Sequence, residues 1–451
     1  MLACGCWLVS FAICHSSHTT ERLQVRAKLW STAGGGEVRL AVISPFLDRK
    51  HGTERVVSEL IERLARDYDC EIHLYSQRVE DLLLEPLDGM PHAGRGCIRW
   101  HRVLSVPGPH LVQYMWWFGA NAFQRWWDIR FGELSPDLVF SPGINAWDAD
   151  VIHVHIVFEE FYQRLKPQLR FRHAPPTSWP RLFHRRLYYG LICWLESRIY
   201  RRKQVHLAGV SGMVVAQLGE HFGRKDAVSI PNGVDVKRFE PQDRLRRRSA
   251  ARAELNVDPE TFVLLLIGND WRKKGLHTLI ESLDECRDWP IRLLVVGKDD
   301  EKPFEAKIQR LGLLDRVRFL APSEDVTKFY AAADAYVGPS LEDAYGLPVI
   351  EAMASGLPVI ASLNAGVSEI ISNGLNGLLL RDPTNVRELA GLIRRLVDDS
   401  SLREQLARNA VSAARQSSLD HSAAAIWELL KKANAIKGAR ARARDEPRPL
   451  E

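Results

Sequence analysis

Two acids, Asp343 and Glu351, stand eight positions apart in the run Pro339–Ser362 (PSLEDAYGLPVIEAMASGLPVIAS), with Tyr345, Gly346, Leu347 and Pro348 between them. Gly346 is free to take positive φ, and Pro348 suits the first turn of a helix, where its missing N–H costs nothing. The spacing predicts a helix opening at that turn. A short strand precedes it (Asp334–Gly338) and a buried strand follows (Leu357–Ala361), together one βαβ unit of a parallel sheet. The start of such a helix presents free N–H groups and the positive end of a dipole, an anion site that suits a phosphate. Asp343 before the turn and Glu351 one turn into the helix can accept hydrogen bonds from hydroxyls on either side of that phosphate. A phosphate between two hydroxyl-reading carboxylates describes a nucleotide-sugar. As structure alone, the run is an ordinary crossover with surface acids.

A second stretch supplies cations. Leu264–Leu283 (LLLIGNDWRKKGLHTLIESL) reads as strand, short loop and helix, with Arg272, Lys273 and Lys274 just before Gly275. Cations there can neutralise a diphosphate leaving group as charge develops on it; otherwise they form a solvated basic helix start. Further upstream, Gly52 in HGTERV precedes a helix, where backbone N–H groups can approach a phosphate. Asp148–Phe158 (DADVIHVHIVF) ends a strand with His153 and His155 on one side by period 2. With no third ligand at a suitable spacing, this pair reads as hydrogen-bonding groups rather than a metal site.

The run Pro339–Ser362 resembles the signature PSxxEGFGLPxxEAMxxGxPVI of the family 4 retaining glycosyltransferases (glycosyl transferases group 1), which have the GT-B fold. Glu351 matches the family's second Glu, whose implied role is to bind the nucleotide ribose. Asp343 stands at the first Glu, implied to read the sugar's hydroxyls, and is one methylene shorter; Glu342 can take that role if the loop shifts by one. Ala344-Tyr345 replaces the usual Gly-Phe. The resemblance makes Lys274 and Arg272 the diphosphate cations, Arg272 standing in for the usual Arg because Asn269 occupies that position. This variant resembles that of lipopolysaccharide-core glucosyltransferases. Gly52, Tyr345, Gly346 and Leu347 fall in donor-binding positions. His155 falls near the sugar's reacting face, as a catalytic residue with Asp343, Arg272 and Lys274. Asn145, Asp148 and His153 are candidate acceptor-side groups.

The implied activity is transfer of a hexose from a UDP- or GDP-sugar to a hydroxyl of a glycan or glycolipid. It would proceed with retention and without metal or cofactor, in cell-surface polysaccharide synthesis. Two readings from other classes stay open: a nucleotide-sugar 2-epimerase of the same fold, and a non-catalytic member of a glycan-assembly complex.

The elements agree with two doubly wound α/β domains facing a cleft, each Rossmann-like. Strands are expected at Val38–Ser44, Glu71–Ser76, Leu138–Ser141 and Asp150–Val157. After an aromatic, Arg-rich helical stretch over Pro180–Arg202, more are expected at His206–Val210, Ala227–Ile230, Val263–Ile267, Arg292–Val296, Val317–Leu320 and Ala335–Val337. A helix at Thr53–Asp67, with Thr53 as N-cap, carries Val57, Leu60, Ile61, Leu64 and Ala65 on one face. The expected division is an acceptor domain over 37–205 with a crossover helix at 419–436, and a nucleotide-sugar domain over 206–418. Residues 1–36 form a leader, a disordered segment or sequence ahead of the true start, and 437–451 a disordered basic tail.

The 451 residues suffice for two such domains, and no apolar run reaches the length of a membrane span. Seven scattered Cys fit a reducing compartment, hence a cytoplasmic chain. The net charge of +5 is unevenly spread: Arg164–Lys203 holds eleven Lys and Arg against one acid, Glu196. Tyr114–Phe131 adds four Trp. Basic aromatic helices suit an anionic bilayer surface, placing the chain peripherally on the inner face of the cytoplasmic membrane. Core packing is the alternative for the tryptophans. Nucleic acid is not expected as a partner, because no reading motif is present.

Overall fold

The computed structural model describes residues 38–49, 52–82, 96–132, 134–166 and 179–445. The expected leader over 1–36 lies outside them. Two parallel sheets dominate, both within the unit Arg39–Glu451. The first is built from β1 (Arg39–Ile43), β3 (Glu71–Ser76), β5 (Ile98–Arg102), β6 (Leu138–Ser141), β7 (Val151–Val154), β8 (His206–Gly209) and β9 (Val228–Ser229), in the order β5-β3-β1-β6-β7-β8-β9. A short pair, β2 (Phe46–Leu47) and β4 (Arg78–Val79), stands beside it. The second holds β10 (Phe262–Ile267), β11 (Ile291–Val296), β12 (Val317–Leu320), β13 (Ala335–Gly338), β14 (Val359–Ser362) and β15 (Leu378–Leu380), in the order β12-β11-β10-β13-β14-β15. Central strands such as FVLLLI and IRLLVV are near-continuous apolar runs because helices cover both faces of a parallel sheet.

Strand order reverses at β1/β6 in one sheet and at β10/β13 in the other. Crevices at the carboxyl ends of such switch points are where open α/β sheets bind ligands. The loops after β10 and β13 carry Lys274 and Asp343, so this topology alone brings the two charged stretches together.

The expected domain boundary at 206 is corrected: β8 pairs with β7, and β9 with β8, so both belong to the first sheet. An aromatic helix does break the strand pattern, α4 (Trp179–Tyr200), but the chain returns from it to the same sheet. The helix α1 (Gly52–Tyr68) starts one residue early, which puts Thr53 in its first turn rather than at the cap. Its expected apolar face is buried, each large side chain contributing roughly 1.5–3 kcal/mol.

The last helix, α13 (Leu419–Asp445), overruns its expected end and takes in much of the expected disordered tail; residues 446–451 lie outside the description. It returns to the first domain, where Asp420 accepts from Arg63 at 2.8 Å and the rings of Trp427 and Tyr68 sit 5.3 Å apart. Lys437 Nζ donates to Asp150 at 2.8 Å and to the Asp137 carbonyl at 2.9 Å, anchoring part of the apolar-poor tail.

Candidate active site

The βαβ unit forms as its residue types require. Gly346 takes φ 99° ahead of α10 (Leu347–Ala354), and Pro348 lies in the first turn. In the other loop Gly275 takes φ 77°, and a Cβ there would fall 2.0 Å from the Pro339 carbonyl oxygen. Only glycine lets the two loops touch. Leu341 N donates to the Lys273 carbonyl at 2.7 Å across the same junction.

Lys274 Nζ then meets Asp343 Oδ2 at 2.5 Å, with both side chains partly shielded from solvent. Glu351, one turn into α10, is 3% exposed. Its Oε1 accepts from Arg55 of α1, and its Oε2 accepts from the Tyr330 hydroxyl at 2.7 Å, Tyr330 standing on α9 (Thr327–Ala332). The Glu351 carboxylate raises the Arg55 pKa further, against burial. Across the cleft, a Cβ on Gly52 would come 3.3 Å from Leu347 Cδ1, so the starts of α1 and α10 abut.

His155 lies just past the end of β7, its ring 4.7 Å from that of His153. Burial and the neighbouring imidazole hold its pKa well below the ordinary value, and its buried Nε2 has no partner among the described residues. A neutral imidazole with a free ring nitrogen can bind a hydroxyl. His155 lines a cavity of about 620 Å³ shared with Thr53, Tyr114, Trp117, Asn145 and Ala344.

The other expected residues are placed as follows. His153 is buried, its Nε2 donating to the Ile230 carbonyl at 3.0 Å, which ties β7 to the chain after β9. Asp148 pairs with Arg125, which also binds Asn121. The Asn145 side chain accepts from Trp117 Nε1 at 3.3 Å while lining the cavity. The Tyr345 side chain is packed in the core, and its contribution to the site is a backbone N–H donated to Asp343 Oδ1 at 3.3 Å. Arg272 is exposed and makes no ion pair or side-chain hydrogen bond among the described residues. Lys273 sits 4.1 Å over the Phe161 ring. The Asn269 side chain accepts from Lys298 N at 2.8 Å. Lys274 is thus the member of the trio that joins the acids. Arg55 and Tyr330 were missed by sequence reasoning. Arg55 sits in the same HGTER run as Gly52; nothing marked Tyr330.

Two parallel doubly wound sheets with charged loops gathered at a switch point define a GT-B protein. The model for Glycosyltransferase Family 4 matches residues 51–238, and that for Glycosyl transferases group 1 matches residues 247–412. The two matches lie one after the other along the chain, and both are to glycosyltransferase families. Lipopolysaccharide glucosyltransferase WaaG of Escherichia coli (strain K12) is 30% identical over 184 residues, 40% of this chain and 49% of that protein. The chain spans about half the length of the curated relatives it matches. The crystal structure of WaaG superposes with TM-score 0.66 at 21% identity, over 88% of this chain and 99% of that one. Anabaena Alr3699/HepE in complex with UDP and glucose does so with TM-score 0.62 at 20% identity, over 88% and 100%. At those identities the likeness concerns the fold.

Proposed function

We propose that this protein transfers a hexose from a nucleoside diphosphate-sugar, a UDP- or GDP-sugar, to a hydroxyl of a glycan or glycolipid, with retention at the anomeric carbon and without a metal. The observation that carries this reading is the Lys274–Asp343 pair beside the free start of α10, with Glu351 one turn further in. A fold neighbour that holds UDP and glucose supports the donor class.

In this reading Lys274 and the N–H groups at Gly346–Leu347 hold the diphosphate, Glu351 takes the ribose, and Asp343 orients the sugar. The bond from the anomeric carbon to the phosphate oxygen breaks, and the acceptor oxygen forms the new bond on the same face. The departing phosphate oxygen takes the acceptor's proton, so no protein nucleophile is required. Neutral His155 donates to or accepts from a hydroxyl at the mouth of the cavity. Lys274→Ala lowers transfer at least about a hundredfold, the scale for losing one charged contact to a developing oxyanion, and Glu351→Ala lowers it by removing the hold on the ribose. Near-normal turnover in either folded variant overturns the assignment.

The acceptor side carries a second feature. On α2 (His110–Phe131), Trp116, Phe123, Trp126, Trp127 and Phe131 are exposed, whereas Trp117 is buried. On α4, Trp179, Phe183 and Trp194 are exposed among arginines. Among the described residues no helix is long and apolar enough to cross a membrane. These surfaces suit docking on an anionic bilayer that presents the acceptor.

A further inference from the structure

Glu351, the group assigned to the donor ribose, is already occupied. One oxygen is taken by Arg55, the other by Tyr330, and the residue is 3% exposed. Tyr330 belongs to the same domain and can stay, since each carboxylate oxygen accepts more than one hydrogen bond. Arg55 comes from α1 of the facing domain and closes the carboxylate off. A ribose diol that takes this face of Glu351 competes with Arg55 for it.

The guanidinium then needs a new counter-charge, because its side chain is only 15% exposed and an unpaired buried cation is costly. Arg55 stands one turn from the start of α1 at Gly52, which abuts Leu347 where the diphosphate would lie. Arg55 would add to the cations already on that side. Lys274 is shared with Asp343, Arg272 is exposed, and Asn269 is committed to Lys298. Arginine offers a planar fork that fits phosphate oxygens.

We infer that Arg55 is a donor-binding residue that exchanges partners: it covers Glu351 in the empty cleft and moves to the donor's diphosphate when the ribose takes Glu351. The inference rests on the nucleotide-sugar reading of Glu351 and Lys274. Glu59, one turn further along α1 and buried, is the other carboxylate facing Arg55.

The test compares a nucleoside with its diphosphate. Full-length wild type, Arg55→Ala, Arg55→Lys and an exposed control, Arg66→Ala, are titrated calorimetrically with UDP, GDP and ADP and with uridine, guanosine and adenosine. Circular dichroism checks the fold, and Arg55→Lys replaces Arg55→Ala if the latter unfolds. Arg55→Ala is expected to bind the nucleoside at least as tightly as wild type, because Glu351 is uncovered. It is expected to bind the diphosphate about tenfold or more weakly, the factor for one charge-assisted contact. Arg55→Lys falls between, and Arg66→Ala matches wild type. Equal weakening of nucleoside and diphosphate overturns the exchange and leaves Arg55 as a structural partner of Glu351. Unchanged diphosphate affinity also overturns it, with Glu59 as the destination. If wild type binds none of the diphosphates, the nucleotide-sugar reading itself fails, which is a distinct result.

Discussion

At the scale of single residues, the acids were legible because their chemistry is local. Asp343, Gly346 and Glu351 lie within nine residues of chain, and a helix opened by glycine and proline fixes their geometry whatever surrounds it. Arg55 and Tyr330 were not legible, because each meets Glu351 only through tertiary structure, 296 and 21 residues away in sequence. The proposed charge neutralisation by Lys274 rather than a metal predicts that EDTA leaves turnover unchanged; loss restored by a divalent ion contradicts it. The buried histidines carry a pH dependence. Burial pushes His153 down to about 4, and His155 moves in the same direction. In the unfolded chain a histidine titrates near 6.5, so between about 4 and 6.5 the unfolded state binds more protons. The stability His153 contributes is therefore complete above about 6.5 and is lost as pH falls toward 4, by up to about 1.4 kcal/mol per pH unit, and that of His155 is lost in the same direction. Urea unfolding between pH 5 and 7 should show this slope, and His153→Gln should flatten it. Parallel slopes for variant and wild type would contradict the assignment.

At the scale of elements, strand and helix types followed from periodicity, whereas their partners did not. A buried strand such as His206–Gly209 reads identically in either sheet, so the expected boundary fell one strand pair too early. Ile98–Arg102 went unnoticed because an edge strand with charged residues lacks a continuous apolar run. Capping across the domains was equally invisible. Glu369, in the 3-10 turn Gly366–Ile370, accepts from Gly212 N at 2.8 Å and Met213 N at 2.9 Å. Those are the first N–H groups of α5 (Gly212–Phe222) in the other domain. Ser211, the N-cap of that helix, donates to the Ala344 carbonyl at 2.8 Å beside the site. A carboxylate at a helix start is worth about 1 kcal/mol. Glu369→Ala should lower the denaturation midpoint accordingly, and an unchanged midpoint would show that the cap contributes nothing to the joint.

At the scale of the molecule, the pattern of two doubly wound sheets facing a cleft was recoverable, because alternating strands and helices admit few arrangements. What covers the outer faces was not. The four tryptophans of Tyr114–Phe131 divide three to one between solvent and core, and only the fold sorts them. Full-length protein should float with anionic vesicles and not with zwitterionic ones, and Trp126→Ser with Trp127→Ser should reduce the bound fraction several-fold. Equal flotation on both vesicle types would leave α2 and α4 without the proposed role. The central claim, that the cleft takes a nucleoside diphosphate-sugar on Lys274, Asp343 and Glu351, is tested most directly by thermal unfolding with UDP-, GDP- and ADP-sugars. A ligand bound only by the native state at a hundred times its Kd stabilises by about 2.7 kcal/mol. At least one donor should raise the Tm of wild type by several degrees and leave folded Lys274→Ala and Glu351→Ala unmoved; a wild type that no donor shifts, or variants that shift equally with it, would contradict the account.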